Sequence, residues 1–308
     1  MRKIILFVLF VSFVGLCCQT NGQSFISLFN GKDLTNWRLD KPGSFEVTGG
    51  EMITRSSGSG TDIFSEKMYG NFILQLEFLL SEVGNSGVFI WRDPSVPGSG
   101  FEVQLLAPWT PWRDDLHCTG SLYGHVAVTN RPDETTGRWY KMEIKCDHNK
   151  ISVSVNDKIT TLADIDTVKT LAGKPMRGYI GFQGNHAEKP GQFAKFRNIR
   201  IRDLDAEPGY VLAGFSSLNG EVRRISRISA VNLGAGMIGP MAVMMSGSDP
   251  MLKSEAKQVL FDIAADVSDP GKPDVDRKAV TREIKKNIKA SSSQIVSDYL
   301  VWLTGMIK

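Results

Sequence analysis

Apolar positions between Phe25 and about Leu204 recur mostly with a period of two. A strand sends successive side chains to opposite faces, so this period reads as half-buried β-strands. In "KISVSVND", Ile151, Val153 and Val155 alternate with Ser152 and Ser154. The "VNDKIT" that overlaps it predicts a tight hairpin turn. "SFEV", "NFILQLEFLL", "GVFIW", "FEVQLL", "WYKMEIKC", "GYIGFQG" and "FAKFRNIRIRDL" carry further strands between Gly, Asn, Asp and Pro clusters. About ten strands in roughly 180 residues predict a two-sheet sandwich over residues 24–205.

After Asp205 the period changes. "AEPGYVLAGFSS" carries Pro208 and Gly209 and reads as a linker, 206–219. Helical spacing then runs through 220–308. Asp249 before Pro250 predicts a helix start: a side-chain acceptor at the cap, then a fixed φ with no N–H to leave unpaired. Leu252, Ala256, Val259, Leu260 and Ile263 share one face, as do Ile295, Val296, Tyr299, Leu300 and Leu303. "NGEVRRISRISAVNLG" has the layout of "SDPMLKSEAKQVLFDIA", with "GMIGPMAVMMSG" as a second helix between them, and "SSSQIVSDYLVWLTGMI" repeats it later. A helical unit recurring at about 30 to 40 residues predicts a short α-solenoid, similar to HEAT repeats; a plain helical bundle is the other reading. Such a region suits a protein partner.

The N-terminus stands apart. Arg2 and Lys3 precede an unbroken apolar run, then small and polar residues, the layout of a secretory signal peptide over 1–23. The run is short for a bilayer span, and no later segment is apolar and long enough. The expected location is secreted or periplasmic; lipid attachment at Cys17 or Cys18 is the alternative. The mature chain then keeps Cys118 and Cys146, which form either a disulfide or two buried thiols. A formal net charge of +3 without a concentrated basic patch speaks against nucleic acid as a partner.

Candidate chemistry gathers in a few stretches. In "FEVQLL", Glu102 and Gln104 share the face opposite Phe101, Val103 and Leu105, and Arg92 ends the preceding run. A guanidinium fork, a carboxylate and an amide can hold sugar hydroxyls, and a carboxyl of raised pKa moves protons; the same face read blandly is simply wet. "DDLHCTGSLYGHVAV" gathers Asp114, Asp115, His117, Tyr123 and His125. His117 and His125 have room for a divalent metal, but no third ligand stands at a recognised spacing. His186 lies on a Gly-rich loop, and Asn198 inside an apolar strand is expected to bond a buried backbone group. Trp91, Trp109, Trp112 and Tyr123 supply flat rings that suit sugar faces and cores equally.

The order "FISLFNGKDLTNW", "GNFILQLEF", "GNSGVFIWR", "GFEVQLL", "HCTGSLYG", "GRWYKMEI", "GYIGFQ", "FRNIRIRDL" resembles the 3-keto-disaccharide hydrolase family over about residues 25–204. The resemblance implies a concanavalin A-like jelly-roll sandwich in an exported protein acting on 3-keto-glycosides. It implies catalytic roles for Glu102 and His186. It implies substrate contacts from Asn85, Ser86, Arg92, Gln104 and Tyr123, to which the loop ring of Trp109 adds a candidate contact. One departure stands out: Ala107 occupies a position where members usually carry Asp. That departure keeps a second expectation alive, a non-catalytic carbohydrate-binding module with a helical interaction appendage.

Overall fold

The computed structural model describes residues 24–55, 61–184 and 189–307. The signal segment and His186 lie outside the described residues. The strands are β1 (Ile26–Ser27), β2 (Trp37–Leu39), β3 (Phe45–Thr48), β4 (Glu51–Thr54), β5 (Ile63–Tyr69), β6 (Phe72–Leu80) and β7 (Asn85–Arg92). They continue with β8 (Phe101–Leu106), β9 (Tyr140–Asp147), β10 (Lys150–Val155), β11 (Lys158–Asp164), β12 (Gly178–Phe182) and β13 (Ala194–Asp203). One sheet runs β11-β10-β9-β6-β13-β4-β3, with β1 added on β13; the other runs β2-β5-β12-β7-β8. The strand pairings among the described residues are antiparallel.

The alternation in β6 does what its sequence demands. Phe72, Leu74, Leu76, Phe78 and Leu80 enter the core between the sheets. Gln75 and Glu77 turn outward, where Gln75 donates to Glu143 and Glu77 takes Arg197. Strand β7 differs: it is buried from Asn85 to Trp91. It lies between β12 and β8, and its residues are buried on both sides of the pleat, which is why its sequence reads as a continuous run. The hairpin between β10 and β11 turns at Asn156 and Asp157, both with positive φ, as a two-residue type I′ turn requires.

Asn198 departs from expectation. It is exposed, with φ of 52°, at a register shift between β13 and β6, and its amide donates to Glu77 rather than to a buried backbone group. A bulge displaces one residue from the alternation, so the polar residue lies outside the apolar face.

Among the described residues six α-helices follow: α1 (Pro208–Gly214), α2 (Gly220–Leu233), α3 (Ala235–Ser246), α4 (Pro250–Ser268), α5 (Asp274–Ala290) and α6 (Gln294–Met306). Asn219, Asp249 and Ser293 cap α2, α4 and α6 through their side chains. Helix α3 packs on α4 and α5, α5 on α6 and α1 on α2, with α2 against α4 and α4 against α6. The 206–219 segment is not an extended linker: it holds α1, with Val211 and Phe215 buried. Tyr210 stacks on His148 of the β9–β10 turn and donates to Asp147. Val222 and Ile225 of α2 belong to the sandwich core. Polar ties add to this, with Asp205 accepting from Asn71 and Asn219 donating to Asp166. Among the described residues no helix is long and apolar enough to cross a membrane. Cys118 and Cys146 are separate buried thiols.

Candidate active site

The five-stranded sheet turns one face to the core and the other outward. Val88 and Ile90 of β7 and Phe101, Val103 and Leu105 of β8 enter the core. The register pairs Gly87 with Gln104 and Phe89 with Glu102, so these four share the outer face with Asn85. Strand β12 contributes Gly181, opposite Phe89 and Phe64, and Tyr179, opposite Arg92. Phe64 stacks on Phe89, and Arg38 lies 4.9 Å above the Tyr179 ring. The face is therefore a floor of rings and glycines with a polar strip along β8.

The far edge of β8 is covered by the 118–126 loop. The backbone of Gln104 donates to Ser121 O, and that of Tyr123 donates to Glu102 O at 2.9 Å. With Val103 bridged to Leu122, this pairing puts Tyr123 beside Glu102 and Ser121 beside Gln104 on the outer face. The loop is itself pinned: Thr119 Oγ1 accepts from Leu106 N, and the buried Glu134 takes Thr119 N and Arg113.

Glu102 is the unusual group. Its Oε1 is buried with no hydrogen-bond partner. Burial, followed by the nearby Asp62 carboxylate, pushes its pKa up to about 8 against the pull of Arg92. Asp62 is held by the Gly184 N–H at 3.2 Å. Arg92 donates through Nη1 to Ser99 O at 2.9 Å, and its Nε is buried without a partner. Gln104 donates to Asn85 Oδ1 at 3.1 Å, which fixes the amide and turns its oxygen free of Asn85.

The expected site residues thus separate. Glu102, Gln104, Asn85, Arg92 and Tyr123 come together. Asn85 is buried and orients Gln104. Ser86 points the other way: it is fully buried on the core side and donates to Gln183 O at 2.7 Å, because its neighbours in the pleat take the outer face. Trp109 is half-buried, with Lys189 Nζ 3.9 Å from its ring and its indole N–H buried without a partner. His186 lies outside the described residues, two positions beyond Gly184. His117 is bonded to Asp114 at 2.7 Å, whereas His125 packs edge-on against Phe101, its pKa lowered by burial and then by Lys174. Among the described residues no group of three His, Cys, Asp or Glu could hold a metal ion.

Sequence reasoning missed Asp62, Phe64, Phe89, Tyr179 and Ser121. Phe64, Phe89 and Tyr179 were legible in principle from strand parity once the pairing was known. Gly87 inside a strand was a signal of close approach: a Cβ there would lie 2.1 Å from Glu102 Oε1. Asp62 carries no local signature.

No curated protein matches this chain. Among solved structures, a "Putative glycosyl hydrolase" from Parabacteroides distasonis superposes with a TM-score of 0.52 at 26% identity, covering 59% of this chain and 100% of that one. A second protein so described from the same organism gives 0.49 at 21% identity, over 58% and 93% of the two chains. The fold is a jelly-roll sandwich of the concanavalin A-like kind followed by helices. The family model of the 3-keto-alpha-glucoside-1,2-lyase-like domain matches residues 24–202. By that match over more than half its length, the chain belongs to the 3-keto-alpha-glucoside-1,2-lyase-like family.

Proposed function

We propose that the outer face of the five-stranded sheet cleaves 3-keto-glycosides by elimination, with Glu102 moving the proton. Family membership and the likeness to the Parabacteroides proteins support a carbohydrate-active protein. The observation that carries the finer reading is Glu102, whose Oε1 is buried without a partner and whose pKa is pushed up to about 8, next to a guanidinium and a fixed amide.

A ketone at C3 acidifies the proton at C2. The Glu102 carboxylate takes that proton, and the C2–H electron pair moves into an enolate with charge on the C3 oxygen. Arg92 and Gln104 offer N–H donors to that oxygen. The enolate then expels the C1 substituent, leaving a C1–C2 double bond conjugated to the ketone. Glu102, now neutral, can return its proton to the departing oxygen on the adjacent carbon. Addition of water at C1 completes a hydrolysis. A carboxyl poised near pH 8 suits both directions of transfer. The half-exposed Tyr179 ring gives apolar surface for a sugar face, with the buried Phe64 and Phe89 packed beneath the strip. The N-terminal signal pattern supports action outside the cytoplasm, secreted or periplasmic.

Turnover of a 3-keto-glucoside with a chromogenic leaving group tests the reading. Release by the wild type and its loss in Glu102→Gln are expected. Full activity in that variant removes Glu102 from the chemistry. A second reading, sugar binding without catalysis, is favoured by Ala107, which is fully buried in the sandwich core and donates its N–H to Gly84 O. Saturable binding of the keto-glucoside with no release would establish it.

A further inference from the structure

A groove of about 900 Å³ runs along α5 on the helical side of the molecule, away from the sheet. Lys278, Arg282, Lys285 and Lys289 line it, together with Thr281 and Ile307. These four cations stand at i, i+4, i+7 and i+11, so they form one stripe on the helix, and each is exposed. Val280 and Ile284 hold the opposite side of α5 in the helical core. None of the four has a hydrogen bond or ion pair among the described residues, while their neighbours do: Arg277 pairs with Asp274 and Lys286 with Glu283. No acidic side chain lines the groove.

Like charges stacked at this spacing repel and weaken the helix. The stripe extends for about 16 Å at a rise of about 1.5 Å per residue, close to one cation for each sugar of an extended glycan. Helices that lie on bilayers pair their basic face with large apolar residues; here Ile307 is the one large apolar side chain in the lining. Sites for single-stranded nucleic acid add aromatic rings for base stacking, and this lining has none.

We propose that the α5 groove binds a linear glycan bearing carboxylates on successive sugars. Such binding holds a polymer beside the sandwich without using Glu102. The choice of a glycan among polyanions rests on the carbohydrate reading of the sandwich.

Calorimetry of the full chain with polygalacturonate tests it, with neutral dextran, anionic phosphatidylglycerol vesicles and duplex DNA as comparisons. We expect saturable binding to polygalacturonate and none to dextran. That binding should weaken about 100-fold from about 50 to 200 mM salt, by counterion release from four neutralised charges. The combined Lys278→Gln, Arg282→Gln, Lys285→Gln, Lys289→Gln variant should bind about ten-fold or more weakly, with an unchanged helical signal because Gln is a good helix former. Equal binding by that variant, no binding by the wild type, or tighter binding to vesicles or DNA overturns the proposal. Turnover of the small keto-glucoside, measured in both proteins, reports on the sandwich separately. Its failure leaves polygalacturonate binding to be judged on its own.

Discussion

Glu102 is buried because Gly87 has no side chain: a Cβ on Gly87 would sit 2.1 Å from Oε1 and 2.6 Å from Cγ of Glu102. The carboxyl occupies the space that any other residue on β7 would fill. Gly87→Ala should push it out toward water, lower its pKa toward the ordinary range and reduce turnover by about ten-fold or more, since misplacement of a reacting group by about 1 Å has effects of that size. Titration of the activity and a crystal structure of the variant check both halves.

The raised pKa of Glu102 also sets a stability profile. In the unfolded chain the group titrates near its ordinary 4.5, in the folded chain at about 8. The folded state therefore holds the proton more tightly. The wild type is expected to lose stability as pH rises from about 4.5 to 8, by on the order of a few kcal/mol. Glu102→Gln lacks this loss. The two proteins should melt alike near pH 4, and the variant should melt higher at pH 9. Equal melting points at pH 9 would mean that the carboxyl is not buried.

If Glu102 acts first as base, kcat/KM should rise with pH and level off above about 8. A profile that instead falls through the same pH assigns it the role of acid in the limiting step. Either profile should vanish in Glu102→Gln.

Tyr210 links the helices to the sandwich through Asp147 and His148. Hydrogen bonds from His148, Lys145 and Tyr210 hold the Asp147 carboxyl below the usual carboxylate range, with His148 the largest influence. Tyr210→Phe keeps the ring stack and removes one charge-assisted bond. It should destabilise the protein by about 1 to 3 kcal/mol, read from urea unfolding.

Asn198 is held at a φ of 52° by the β13 bulge. Asn198→Ala should cost about 1 to 2 kcal/mol and Asn198→Gly less, because only Gly enters that region freely. A reversed order would mean that the bond to Glu77, not the backbone, is what matters there.

Much of the sandwich was legible in the sequence because period-two patterns survive wherever one face is wet. Strands β6, β9 and β10 follow this rule, and Asp249 marks its helix through local chemistry alone. The site was legible to the extent that it lies on one strand, as Glu102 and Gln104 do. Ser86 shows the limit: which side of β7 faces the core depends on its pairing with β8. Asp62 shows another, since its action on Glu102 is through space from a distant part of the chain. The basic stripe of α5 runs against the expectation of no concentrated basic patch: a net charge of +3 averages over the chain, and the stripe shows only at helical spacing. The Pro208–Gly209 pair looked like a break, yet proline at a first turn starts α1.

Val222 and Ile225 sit among side chains of the sandwich, and a Cβ on Gly70 would meet Ile225 at 2.9 Å. Helix α2 is therefore a cork in one end of the sandwich, not a neighbour beside it. A chain cut after residue 205 would open that end to water and bare apolar core. The helices and the sandwich are thus bound to melt in one cooperative step, and a sugar held in the sheet would raise the resistance of α2 to hydrogen exchange.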